Sequence, residues 1–295
     1  MSGEKSTIVI DNGSGNCKAG FCVEEAPRLI FPSLIGKLES GKKVADGPNK
    51  DFFVGHEACA KAELLNLQYP IERGFVKNFD DLEKIWHHTF YNELCVNPKE
   101  HPVLLTTIVN SYNSQREKMI SLMFDTFNVP SFYVGFQPVL SLYSTGRTTG
   151  AVLEIGDGIT QAGIVDEGYL FKNGSSKINF GGKDLTEFMV KLLAEKGYSF
   201  SKFAEKEIVR DIKEKLTYCS LDFDAEAQMG SSEIDVSCKL LDGNDITFGP
   251  ERFKCPELLF KPFLDDYECD GVSQVLTSSI IKSDFELRKD LYANI

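Results

Sequence analysis

The sequence predicts an α/β protein built from two related halves. Apolar strand-like runs alternate with amphipathic helical stretches along the whole chain. A glycine-rich stretch near the start also returns in the middle. Ile8 to Phe21 reads I-V-I-D-N-G-S-G-N-C-K-A-G-F, and Ala151 to Ile164 reads A-V-L-E-I-G-D-G-I-T-Q-A-G-I. A shift of 143 positions puts Glu154 on Asp11, Gly156 and Gly158 on Gly13 and Gly15, Gln161 on Lys18, and Ala162-Gly163 on Ala19-Gly20. Such a repeat implies two similar domains. They are expected at 1–145 and 146–295, with G-R-T-T-G at 146–150 as the joint. The length of 295 residues accommodates two medium domains.

The first stretch reads as a β-hairpin with a glycine-rich tip. Glycines leave no Cβ in the way, so backbone N–H groups can converge on an anion. Lys18 adds a positive charge, and Asp11 is placed to hold a hydrated divalent cation. A plain turn explains one such hairpin equally well. Two copies favour a pair of hairpins clamping one phosphate chain.

Leu29 to Ile35 reads as strand with an edge proline at Pro32, and 36–50 as a surface loop. Phe52 to Gly55 is a short strand and His56 to Leu65 a helix. Asn78 to Leu94 is a helix capped by Asn78, with Asp80 and Asp81 complementing its dipole. Leu82, Ile85, Trp86 and Phe90 form its apolar stripe. His87 and His88 are neighbours that diverge on a helix, which makes them a poor metal pair. Val103 to Thr107 is a buried strand and Asn113 to Asn128 a helix packed through Met119, Leu122, Met123 and Phe127. Phe132 to Phe136 is a strand, followed by a helix from Gln137 to Ser144.

In the second half, Gly181 to Lys196 is an amphipathic helix whose Gly181-Gly182 start is either an open anion site or a simple turn. Lys202 to Ser220 is a helix packed through Ile208, Ile212 and Leu216. Arg210, Lys213 and Glu214 form a charged face, which by itself reads as solvated. Glu233 to Leu241 and Asp245 to Phe248 flank L-D-G-N, a hairpin signal. Helices are expected at Pro256 to Phe260 and Ser273 to Ile281.

The net charge of −12 argues against nonspecific binding to nucleic acid or acidic membranes. The eight cysteines contain no C-x-x-C pair and read as reduced, mostly buried thiols. The polar N-terminus lacks a signal-peptide core, and no apolar run reaches membrane-spanning length. A cytoplasmic, soluble chain is expected. P-loop, dinucleotide, EF-hand and nucleophile-elbow patterns are absent.

The segments at 11–21, K-I-W-H-H-T-F-Y-N-E-L at 84–94, V-L-S-L-Y-S-T-G-R-T-T-G at 139–150, E-I-V-R-D-I-K-E-K-L at 207–216 and L-R-K-D-L-Y-A-N at 287–294 closely resemble actin. The resemblance runs the length of the chain. It implies a two-lobed actin-like ATPase fold with ATP and Mg²⁺ or Ca²⁺ as ligands. By position, Ser14, Gly15, Asn16 and Lys18 would bind phosphates from one hairpin, and Gly156, Asp157 and Gly158 from the other. Asp11 would hold the metal through water. Gln137, Glu154 and Gln161 would serve hydrolysis, with Gln137 orienting the attacking water. Gly182, Arg210, Lys213 and Glu214 would contact ribose and adenine.

Several positions depart from the family. Glu154 stands for an aspartate, Gln161 for a histidine that helps position water, and Arg73 for a usually methylated histidine. The loop 40–50, which docks on the next subunit in actin, is rewritten, as is 263–271. Actins continue past D-L-Y-A-N, so the second lobe is expected to be incomplete. The resemblance implies an ATP-binding cytoskeletal protein with slow ATP hydrolysis. Such a protein would be filament-forming or filament-associated, with actin filaments, actin-binding proteins or its own copies as partners. The altered positions support an alternative, a non-polymerising interaction module with weak or no turnover. A small-molecule kinase fits poorly, since the matches extend to actin surface segments.

Overall fold

A computed structural model describes residues 5–38, 50–230, 234–239 and 245–295. Contacts divide the chain into two compact units, Met1–Phe180 with Leu276–Ile295, and Gly181–Val275. These units group residues by contact, whereas the expected halves 1–145 and 146–295 group them by repeat. Both glycine-rich hairpins fall in the larger unit.

That unit opens with β1 (Ile8–Asn12) and β2 (Asn16–Phe21), an antiparallel hairpin continued by β3 (Leu29–Pro32). Along β1 the fully buried Ile8 and Ile10 alternate with half-buried positions, the period of a strand covered on one face. The expected single strand 29–35 breaks at Ser33 and Leu34. Leu34 N–H bonds back to Pro32 O, and the chain re-forms as β4 (Ile35–Leu38), between β5 (Phe52–Val54) and β6 (Leu65–Gln68). The expected surface loop 36–50 therefore begins as strand, and its residues 39–49 lie outside the described residues. The helix α1 (Gly55–Ala60) is shorter than expected and gives way to a tight turn over 62–64. Two short strands, β7 (Ile71–Glu72) and β8 (Phe75–Val76), pair across Arg73 and Gly74, both at positive φ.

The helix α2 (Phe79–His87) starts as the sequence predicts. Asn78 Oδ1 accepts the Asp81 N–H, and Leu82, Ile85 and Trp86 are buried. Asp81 is also buried, held by Lys37 at 3.0 Å and Lys84 at 2.7 Å. Burial works to raise its carboxyl, but the two lysines prevail and hold it below the usual range. Past His87 the turns widen, with Leu94 N–H donating to Thr89 O five residues back. His88 lies edge-on to Phe31 and pairs with Glu93.

The strand β9 (Val103–Thr107) pairs parallel with both β1 and β10 (Phe132–Phe136), giving the sheet order β10-β9-β1-β2-β3. The helix α3 (Asn113–Ser121) connects β9 to β10, widening over 122–126. Trp86, Phe90, Met123 and Phe127 close the core against this sheet. The helix α4 (Gln137–Ser144) leads directly off β10 into β11 (Gly150–Ile155). The second sheet places β12 (Thr160–Asp166) against β11, β13 (Tyr169–Leu170) and β14 (Ser176–Ile178). The chain's last helix, Arg288–Ala293, buries Leu291 with Ala151, Ile164 and Ile280.

The smaller unit contains α5 (Gly182–Glu195) and α6 (Phe203–Leu216). Its core includes Met189, Leu193, Val209, Phe248 and Phe253. Val209 and Ile212 are the buried positions of α6, while Ile208 and Leu216 are half-buried. That helix ends at Leu216, earlier than expected. Strands 236–239 and 245–248 pair antiparallel, and the L-D-G-N turn between them lies outside the described residues. The helix expected at 256–260 instead spans Glu251–Glu257 and contains Pro256. All eight cysteines are thiols. Only Cys17 and Cys255 are buried, correcting the expectation, and burial pushes each up to about 12.

Candidate functional site

The two hairpins are the same structure twice. Asp11 faces Lys18 across β1 and β2, and Glu154 faces Gln161 across β11 and β12. Gly13 N–H closes the first tip onto Asn16 O at 2.9 Å, and Gly156 N–H closes the second onto Ile159 O at 2.8 Å. Even the flanking bonds correspond: Ile8 N–H donates to Pro102 O and Ala151 N–H to Asn294 O, both at 2.8 Å. The sequence shift of 143 positions is therefore a shift of backbone hydrogen bonds as well.

The tips approach each other closely. A Cβ on Gly15 would lie 2.8 Å from Asp157 Cγ, and one on Gly158 would lie 2.8 Å from Ser14 Oγ. The β7–β8 turn bridges them: Arg73 Nη1 donates to Gly158 O at 3.0 Å and Gly74 N–H to Ser14 Oγ at 3.1 Å. Between the hairpins lies a cavity of about 430 Å³. It is lined by Asp11, Ser14, Gly15, Asn16, Lys18, Gln137, Glu154, Gly156, Asp157, Gly158 and Gln161. These are all the residues the sequence nominates for phosphate, metal and hydrolysis.

The polar side chains of the cavity form one chain. Asp11 Oδ1 accepts from Thr106 Oγ1 at 2.5 Å and from Gln137 Nε2 at 2.9 Å, and Lys18 Nζ stands 3.8 Å from Asp11 Oδ2. Gln161 Nε2 donates to Gln137 Oε1 at 2.8 Å and to Glu154 Oε2 at 2.7 Å. Ser141 Oγ donates to Glu154 Oε1 at 2.5 Å. Burial pushes the Glu154 carboxyl above its ordinary value. The Ser141 and Gln161 bonds oppose that, and the Asp11 charge adds to it. Behind Asp11, Trp86 Nε1 donates to Asn12 Oδ1 and Asn12 Nδ2 to Ser33 Oγ, fixing the root of the first tip.

The family model described as Actin matches residues 2–295. The chain belongs to the actin family. Its class is therefore cytoskeletal, and its fold the α/β fold of actin. Among the described residues no helix is long and apolar enough to cross a membrane.

The remaining candidates of this actin-family chain lie in the smaller unit. Lys213 Nζ donates to Gly182 O at 2.8 Å and to Thr186 Oγ1 at 3.0 Å, tying α6 to the first turn of α5. Arg210 pairs with Glu207 at 2.7 Å and lies 3.9 Å from Glu214. Sequence reasoning missed Thr106, Ser141 and the Val109 N–H, which donates to Gln161 Oε1. Two of these had a signal. Thr106 lies near the carboxyl end of a parallel strand, where α/β sheets place ligands, and Ser141 follows Gln137 by one helical turn.

Proposed function

We propose that this chain is a cytoplasmic cytoskeletal protein of the actin family that binds ATP with Mg²⁺ or Ca²⁺. One observation carries the reading: two equivalent glycine tips face one cavity that also holds Lys18 and Asp11. The residues suit the ligand. A Cβ at Gly15 or Gly158 would fill the space between the tips, and a cavity of about 430 Å³ is of ligand size. Ser14, Gly15, Asn16 and Lys18 take phosphate oxygens from one side and Gly156, Asp157 and Gly158 from the other. Asp11 holds the metal's water shell, whose charge offsets that of the phosphates. Gln137, Glu154 and Gln161, which line the same cavity, are the proposed hydrolysis residues. Gly182, Arg210, Lys213 and Glu214 are the proposed ribose and adenine contacts. The halves 1–145 and 146–295 are the proposed lobes.

The test is nucleotide content. Folded, purified protein is expected to carry ATP or ADP, and Lys18→Ala is expected to weaken retention at least about tenfold, or about 1.4 kcal/mol. Folded protein that carries none, and binds none with Mg²⁺ present, rules the reading out. Filament partnership is a separate question. Pelleting under polymerising salt supports self-assembly, and persistent monomer favours the module that only binds filaments or actin-binding proteins.

A further inference from the structure

Gln161 is 2% exposed and has a fixed orientation. The Val109 backbone N–H can only donate, and it lies 3.0 Å from Gln161 Oε1. The Nε2 end must therefore face Gln137 and Glu154, and both its hydrogens are used there. Gln137 is fixed in turn from both ends. Its carbonyl accepts from Gln161, and its own Nε2 donates to the Asp11 carboxylate. The orientation of both amides follows from groups whose roles cannot be exchanged, a backbone donor at one end and a carboxylate at the other.

We infer that Gln161 is a positioning residue that latches Gln137, so that this site retains a nucleoside triphosphate while cleaving it slowly. The inference rests on the nucleotide reading above. Hydrolysis forms a bond from water oxygen to the terminal phosphorus, breaks the bond to the diphosphate oxygen, and leaves the water's proton on the phosphate products. Gln161 takes one of the two acceptor positions of the Gln137 carbonyl, so a water aligned by Gln137 is left the other, in the direction that the Gln161 and Asp11 bonds fix. The amide at 161 cannot take up the proton, because a neutral amide is not a base at ordinary pH. Gln161 thus pins the aligning group and supplies no base in exchange.

Gln161→Ala removes the latch. Nitrogen-15 spectra without nucleotide come first. The Gln137 side-chain amide is expected to shift and to exchange with solvent at least about tenfold faster, while backbone protection in β11 and β12 persists. Single-turnover phosphate release at saturating ATP comes second. It is expected to rise at least about tenfold, with the nucleotide dissociation constant within about twofold of the parent. Should the alanine variant not fold, Gln161→Asn, too short to reach Gln137, serves in both measurements. An unchanged Gln137 amide signal overturns the latch whether or not nucleotide binds. A changed signal with unchanged or slower turnover overturns it and leaves the nucleotide reading standing. A parent protein that binds no nucleotide overturns the nucleotide reading and, with it, the latch's effect on cleavage.

Discussion

Glu154 is the residue whose chemistry changes most between sequence and structure. In sequence it is a carboxylate one methylene longer than the family's. In the structure that extra reach ends on Ser141 and Gln161, in a buried setting that raises its pKa. The consequence for stability has a definite sign. The folded state holds the Glu154 proton more tightly than the unfolded chain does. Its contribution is therefore fully present below the unfolded value of about 4.5 and is lost as pH rises through the raised folded value. Asp81, with a lowered carboxyl, has the opposite dependence and loses its contribution as the pH falls. Glu154→Gln stays neutral throughout, so the parent's stability should fall relative to the variant's as pH rises across that window. Denaturant midpoints of both proteins at a series of pH values measure this, and parallel curves would sink the assignment. None of this was legible from Glu154 alone. The repeat located the residue, but its environment is made by α4 and β12, which approach it only in the folded chain.

The hairpin is the element that the sequence describes best. Its strands, its tip and its partner 143 residues away were all visible, because a strand–turn–strand is a local pattern and a repeat needs no coordinates. Helix starts were nearly as clear, since Asn78 carries its own cap. Helix ends were not. The helix expected to reach Leu65 stops at Ala60 and the one expected to reach Ser220 stops at Leu216, whereas those expected to end at Leu94 and Asn128 run on to Glu93 and Thr126 through widened turns. The distance between the two tips was also hidden, being a product of tertiary packing. It leads to a prediction for Gly158→Ala, whose Cβ would lie 2.8 Å from Ser14 Oγ. Either Ser14 turns away or the tips part, and both disturb the proposed phosphate contacts. Nucleotide affinity is expected to fall at least about tenfold, while Gly146→Ala serves as a control with open space around it. Gly146 has a positive φ, so the control carries backbone strain without touching the cavity. Equal affinity in both variants would show that the tip spacing does not matter.

At the scale of the whole molecule, the resemblance identified the family while the contacts drew their own boundaries. Residues 146–180 follow the first hairpin into the larger unit, and 276–295 return to it after the smaller one. Sequence reading placed a joint at 146–150 because the repeat restarts there, yet α4 packs on β11 and β12 and carries the first unit across that joint. This organisation puts all the proposed phosphate and metal contacts in one unit, where they can be tested. The chain has a single tryptophan, Trp86, fully buried in the core of the larger unit and bonded to the root of the first tip. Its fluorescence reports the unfolding of that unit. A ligand at about 100 times its dissociation constant stabilises the state that binds it by about 2.7 kcal/mol. For a unit of 150–250 residues, each kcal/mol moves the midpoint by about 2–4 °C, so Mg-ATP should raise the Trp86 transition by roughly 5–11 °C. Lys18→Ala at the same nucleotide concentration should show a smaller shift. A parent midpoint that does not move on adding Mg-ATP, in protein first stripped of nucleotide, would remove the hairpin cavity from consideration as the site.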